Sequence, residues 1–134
     1  MTRPPVNVML RGEQTAGEVA LMDNRARAGS AGPPLHHHAF DELFYVVAGE
    51  LVFALGDELV TRRAGEIAFA PRGVHHTFAN HSGAPARTLI ACTPAGFERY
   101  FARLAAERQG AEPPAWALQP TPEVTRAGPR IAQG

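Results

Sequence analysis

Apolar residues in this chain come in short blocks between Val6 and Cys92, each broken by glycine, proline or charge. Val6 to Leu10 and Val19 to Met22 alternate in part and predict early strands, with a turn over Gly12 to Gly17. Gly29 to Pro34 is a Gly/Pro/Ser loop. Asp41 to Val47 is the strongest strand signal, β-branched, aromatic and continuous. Leu51 to Leu55, Leu59 to Thr61, Ile67 to Ala70, His75 to Ala79 and Arg87 to Cys92 follow as strands. The turns between them carry Gly49, Gly56-Asp57, Gly65 and Pro71-Arg72-Gly73. Roughly eight or nine strands spaced about eight to ten residues apart predict an all-β antiparallel sandwich or barrel rather than βαβ units.

The period changes after Thr93-Pro94. Phe97, Tyr100, Phe101 and Leu104 form an apolar stripe, which predicts an amphipathic helix from Ala95 to Gln109, stopped by Gly110. That stripe is expected to pack on the β body. Residues 111–134 are rich in Pro, Ala, Gly and Thr and predict an extended tail, with Trp116 and Leu118 as candidate anchors. The division is a single domain over residues 1–110 followed by the tail.

Composition narrows the function classes. The 134 residues carry 13 basic and 13 acidic side chains, so nothing suggests a nucleic-acid or membrane-surface partner. Every basic residue is arginine, which excludes a Schiff-base lysine. One cysteine, Cys92, excludes an internal disulfide and reads as a buried strand residue. No signal-peptide core follows Met1-Thr2-Arg3-Pro4-Pro5, and the apolar run from Leu43 to Leu55 is too short and too broken to span a bilayer. The expectation is a soluble cytoplasmic protein.

The candidate chemistry lies in residues 36–42. His36, His38 and Glu42 share parity, so on one strand they project to one side, continued by Phe44 and Val46. His37 has the other parity and faces away. The pair His75-His76 can add an imidazole from a facing strand, although an irregular backbone at Gly73-Val74 would exchange the two. Three nitrogens and one oxygen suit one divalent transition metal (Fe, Mn, Ni, Zn, Co or Cu) rather than Ca or Mg. Phe44, Val46, Phe53, Phe69 and Phe78 are candidate cavity lining. Arg62, Arg63 and Arg72 lie at turns, and Asn80 reads as a turn cap.

Two motifs give the chain a family likeness. His36, His38, Glu42 and Gly49 follow the spacing His-x-His, three residues, Glu, six residues, Gly, with Ser30 where a leading glycine is usual. Gly65, Pro71, Gly73, His76 and Asn80 follow Gly, five residues, Pro-x-Gly, two residues, His, three residues, Asn. In both, the chain resembles the cupin superfamily. The resemblance implies a double-stranded β-helix, the jelly-roll or cupin barrel, here with a C-terminal helix and extended tail. It implies His36, His38, Glu42 and His76 as the metal ligands, and so chooses His76 over His75. It also implies a homodimer, for which Val6 to Leu10 is a candidate edge strand.

An open three-His, one-Glu set with an aromatic lining points to a metal-dependent oxygenase acting on a small enol or phenolic substrate. Glu42 is the candidate catalytic base as well as a ligand. The alternatives are a non-redox isomerase, epimerase or decarboxylase, and a small-molecule binding module without turnover.

Overall fold

The computed structural model describes residues 5–132. The segment Met1 to Pro4, read as lacking a signal-peptide core, lies outside the described residues, as do the last two residues of the tail. Ten strands and one helix follow in order: β1 (Val6–Leu10), β2 (Ala20–Ala26), β3 (His36–His38), β4 (Asp41–Ala48), β5 (Glu50–Leu55), β6 (Glu58–Arg63), β7 (Ile67–Ala70), β8 (His76–Ala79), β9 (Ala86–Thr93), α1 (Glu98–Arg108) and β10 (Val124–Arg126). No helix among the described residues is long and apolar enough to cross a membrane.

The strands pair antiparallel in two five-stranded sheets. One has the order β1-β2-β9-β4-β7 and the other β10-β3-β8-β5-β6. Alternation fixes which side chains turn inward. On β9 the buried positions are Ala86, Thr88, Ile90 and Cys92, and on β4 they are Glu42, Phe44 and Val46. These meet Leu51 and Phe53 of the other sheet in one core, where the rings of Phe44 and Phe53 lie 5.1 Å apart.

The expected closed barrel is not what forms. The two sheets remain open, with β1 and β7 at the edges of one and β10 and β6 at the edges of the other. Closure needs a hydrogen-bonded ladder between edge strands. Here β7 has four residues, β10 has three, and α1 packs along β1. Barrels and sandwiches share the same in–out alternation, so strand spacing alone could not separate them.

The tail also differs from a simple extended segment. Ala115–Leu118 is a single 3₁₀ turn, and β10 pairs with β3 through Val124, Thr125 and Arg126. Arg11 lies over the Trp116 ring at 5.1 Å, and Arg103 donates to the Ala117 carbonyl at 2.6 Å. Leu118 is exposed. α1 is anchored from its first residue: the Glu98 carboxylate is buried and accepts backbone N–H bonds from Gly12 at 2.8 Å and Gly96 at 2.6 Å.

Candidate metal centre

Strand register gathers the four side chains. His36 on β3 is in register with His76 on β8, and their ring centroids are 4.6 Å apart. His38, two residues further along β3, has its ring 4.7 Å from His76. Glu42 arrives from the opposite sheet on β4, between the small side chains of Ala70 and Cys92. The expected single strand carrying both histidines and the glutamate is therefore two strands, separated by Ala39-Phe40, where the chain steps from one sheet to the other. Phe40 fills that step. Its ring is buried and stacks on His38, with centroids 3.5 Å apart and planes 2° from parallel.

The surrounding loops hold these strands in place. Thr77 donates to the Pro33 carbonyl at 2.6 Å, and the Asn80 N–H donates to Ser30 at 3.0 Å. Gly32, at φ +71°, passes so close to β8 that a Cβ there would collide with the Phe78 carbonyl. The close approach needed in this loop is thus made at Gly32, two residues after the motif position held by Ser30. In the turn before β8, the Gly73 N–H donates to the His38 carbonyl at 2.8 Å, and Arg72 binds Asp41 through its backbone N–H at 2.8 Å and its guanidinium at 3.1 Å.

One ligand atom from each of His36, His38, Glu42 and His76 can be chosen so that all four lie within 4.8 Å of one another. Each histidine is also tied from behind. The Nδ1 atoms of His36, His38 and His76 lie 2.7, 3.0 and 2.9 Å from the carbonyls of Pro34, Phe40 and Val74. An Nδ1–H donated to a carbonyl fixes the tautomer and turns the Nε2 lone pair inward, the usual support for a metal-ligating imidazole. Glu42 Oε1 lies 2.9 Å from His38 Nε2 and 3.2 Å from His76 Nε2. Two acceptors that close require a proton or a cation between them. The donor set therefore fits one divalent transition metal, held by three nitrogens and a carboxylate oxygen.

The electrostatics agree. Burial alone would raise the Glu42 pKa, but hydrogen bonds from His38 and His76 and their charges outweigh it and hold the carboxyl below the usual range. Burial would lower the His76 pKa, but the Glu42 carboxylate outweighs that and the net shift is upward. His36 is lowered, chiefly by burial. Cys92 is buried, as expected, and its thiol is pushed well up, chiefly by burial and then by the charges of Glu42 and Glu98, which disfavours the nucleophilic thiolate.

The other sequence candidates sort clearly. His37 is on the outer side of β3 beside β10, and His75 lies 4.0 Å from the exposed Asp57. Phe44, Val46 and Phe53 are buried core, and Phe78 lines a cavity. Phe69 does not line it: it sits on the outer face of edge strand β7 and is 47% exposed. Asn80 organises its turn, donating to Ala26 and Ala84 and accepting from Ser82. Arg63 and Arg72 pair with Glu50 and Asp41, and Arg62 donates to Ile67.

Beside the quartet is a cavity of about 1040 Å³ whose wall includes His36 and Glu42. Much of the remaining wall was not anticipated. Phe97, Tyr100 and Phe101 contribute from α1 and its approach, Pro122 and Val124 from the tail, and Asn24 from β2. The apolar stripe of α1 packs on the β body through Phe97 and Phe101, as expected, and also lines this opening; periodicity cannot say whether a stripe meets a core or an opening. Asn24 was legible in principle, because it shares parity with Met22 once β2 is extended to Ala26.

Comparison with known proteins agrees with this geometry. No curated protein matches the chain. The solved structures similar to it include the protein TT1209 of Thermus thermophilus, at 28% identity, covering 58% of this chain and 74% of that one with a TM-score of 0.54. A sugar phosphate isomerase of the cupin superfamily from Silicibacter pomeroyi is 25% identical, covering 66% and 59% with a TM-score of 0.56. A predicted oxalate decarboxylase from Thermotoga maritima is 23% identical over 66% and 78%, with a TM-score of 0.63, a likeness of fold. The family model for the cupin domain matches residues 25–92, a span holding all four candidate ligands. The match covers half of the chain and both of its motifs, and the chain belongs to the cupin family.

Proposed function

We propose that the chain is a metal-dependent enzyme in which His36, His38, Glu42 and His76 hold one divalent transition metal, and that it is an oxygenase for a small enol or phenolic substrate. One observation carries this reading: three imidazoles and a carboxylate cluster together, and two of the four, His36 and Glu42, line an aromatic-walled cavity. Bound there, a transition metal supplies Lewis acidity and, if redox-active, access to dioxygen chemistry. The chain's own residues do the rest. Phe78, Phe97 and Phe101 offer flat apolar surfaces to a planar substrate and exclude water from it. Glu42 is among the lining residues of the cavity, within reach of a bound enol or phenol whose proton its carboxylate would accept. The backbone carbonyls behind the histidines keep the rings aimed.

The test uses protein purified without a nickel column and loaded anaerobically with Fe, Mn, Ni, Co, Cu or Zn. Oxygen uptake is then followed on a panel of catechol, flavonol and β-diketone substrates. Uptake with one loaded metal, abolished by Glu42→Gln, is expected. No turnover with any metal overturns the oxygenase reading. The likeness to a sugar phosphate isomerase keeps a non-redox reaction as the second reading, which predicts turnover without oxygen. The reading includes a homodimer.

A further inference from the structure

Charge in this protein is balanced over the whole chain but not around the cavity. The chain has equal numbers of basic and acidic residues. Arg25, Arg27, Arg108 and Arg126 all line the cavity, and Glu42 is the single carboxylate among its lining residues. Arg27 and Arg108 have no ion pair among the described residues. Arg25 is 3.9 Å from Asp23, whose carboxylate is already bound by Arg87 at 2.8 Å. These arginines come from β2 and its following loop, the end of α1, and β10, so three separate parts of the chain bring positive charge to one opening. A one-signed rim over low-dielectric walls attracts the opposite charge.

A second observation is independent of the rim. Asn24, on the inner face of β2, lines the same cavity, is 6% exposed, and its Nδ2 has no hydrogen-bond partner. Its register partner Thr88, fully buried, also has an unpartnered hydroxyl. Donors buried without an acceptor are costly; the Nδ2 atom is itself closed to solvent, and a half-turn of the amide brings this donor to the cavity, where a ligand oxygen can accept from it. The wall also carries apolar residues, among them Val6, Ile90, Phe78 and Phe101.

We propose that the cavity takes an organic carboxylate with an apolar body: its anionic group is met by the arginine rim and the Asn24 amide, and its other end lies at the ligand quartet. The proposal rests on the metal-site reading for the placement of that other end, but the selection of an anion belongs to residues outside the quartet.

The experiment measures calorimetric binding of 4-phenylbutyrate, the neutral 4-phenylbutyramide, the cationic 4-phenylbutylamine and glucose 6-phosphate, to zinc-loaded and to chelator-treated protein. The carboxylate is expected to bind about tenfold more tightly than the amide in both forms, and to weaken as salt is raised. Arg27→Gln with Arg108→Gln removes most of that preference. Asn24→Leu weakens carboxylate binding while Tm holds or rises, because an unpartnered polar group is replaced by an apolar one of similar size; a merely structural asparagine would lower Tm instead. Equal binding of amide or amine overturns the proposal, as does a sugar phosphate that binds more tightly than the apolar acid. A carboxylate preference present only with zinc and indifferent to the arginines also overturns it, and leaves the metal centre standing. Arginine-dependent binding in a protein that takes up no metal removes the metal centre and leaves this selection intact.

Discussion

Glu42 and His76 need the same thing, a positive charge between them. Without a metal it is a proton on the imidazole, which is why His76 is raised and Glu42 lowered despite their burial. The consequences for stability follow from which state binds more protons. Glu42, depressed in the folded state, contributes stability present above the usual carboxylate range and lost as pH falls through its folded value. His76, raised in the folded state, contributes stability that is full below the usual histidine range and lost as pH rises through its folded value. His36, depressed by burial, works the other way, and its cost is relieved as pH rises toward the usual histidine value. A metal must displace the His76 proton, so apparent affinity rises with pH. The expected outcome is a larger stabilisation by zinc at pH 8 than at pH 6, by about 1 kcal/mol or more in calorimetry. Equal gains at the two pH values contradict it.

At the scale of elements, the start of α1 is tied down by one buried side chain. Its apolar stripe is only partly covered, with Tyr100 and Leu104 on the exposed side. Glu98 instead ties the helix start to the turn at Gly12 and to Gly96, through two buried N–H groups. Glu98→Ala leaves both donors without an acceptor, which costs about 3 kcal/mol and lowers Tm by roughly 10 °C. Metal stoichiometry is expected to hold, because the quartet is carried by β3, β4 and β8. Calorimetry with metal analysis checks both halves, and a loss of metal at unchanged Tm would invert the assignment. The hinge between β3 and β4 shows a limit of pattern reading. Parity put His36, His38 and Glu42 on one side, and they do converge. They do so across two sheets, because Phe40 occupies the step and continues the inward parity.

At the scale of the molecule, two open sheets leave edge strands to be managed. β1 is an edge of the first sheet and carries one half-exposed apolar residue, Met9. The homodimer reading places a second copy against that edge. Sedimentation is expected to give a dimer mass across micromolar concentrations, and a monomer throughout that range contradicts it. β10 protects the corresponding edge of the other sheet by pairing with β3, so the tail covers a ligand-bearing strand from within the same chain.

The two motifs marked the four side chains that come together, His36, His38, Glu42 and His76, because residue type and spacing are local properties of the chain. Strand parity likewise marked Phe44, Val46 and Phe53 as inward. Whether the sheets close, which strand neighbours which, and what covers the cavity depend on contacts between residues distant in sequence, where local pattern carries no information. The exposed Phe69, the tail strand paired to β3, and the gathering of four arginines around one opening all belong to that second kind. Each was decided by packing, because an apolar or charged side chain has no preferred neighbour until the sheets are in place.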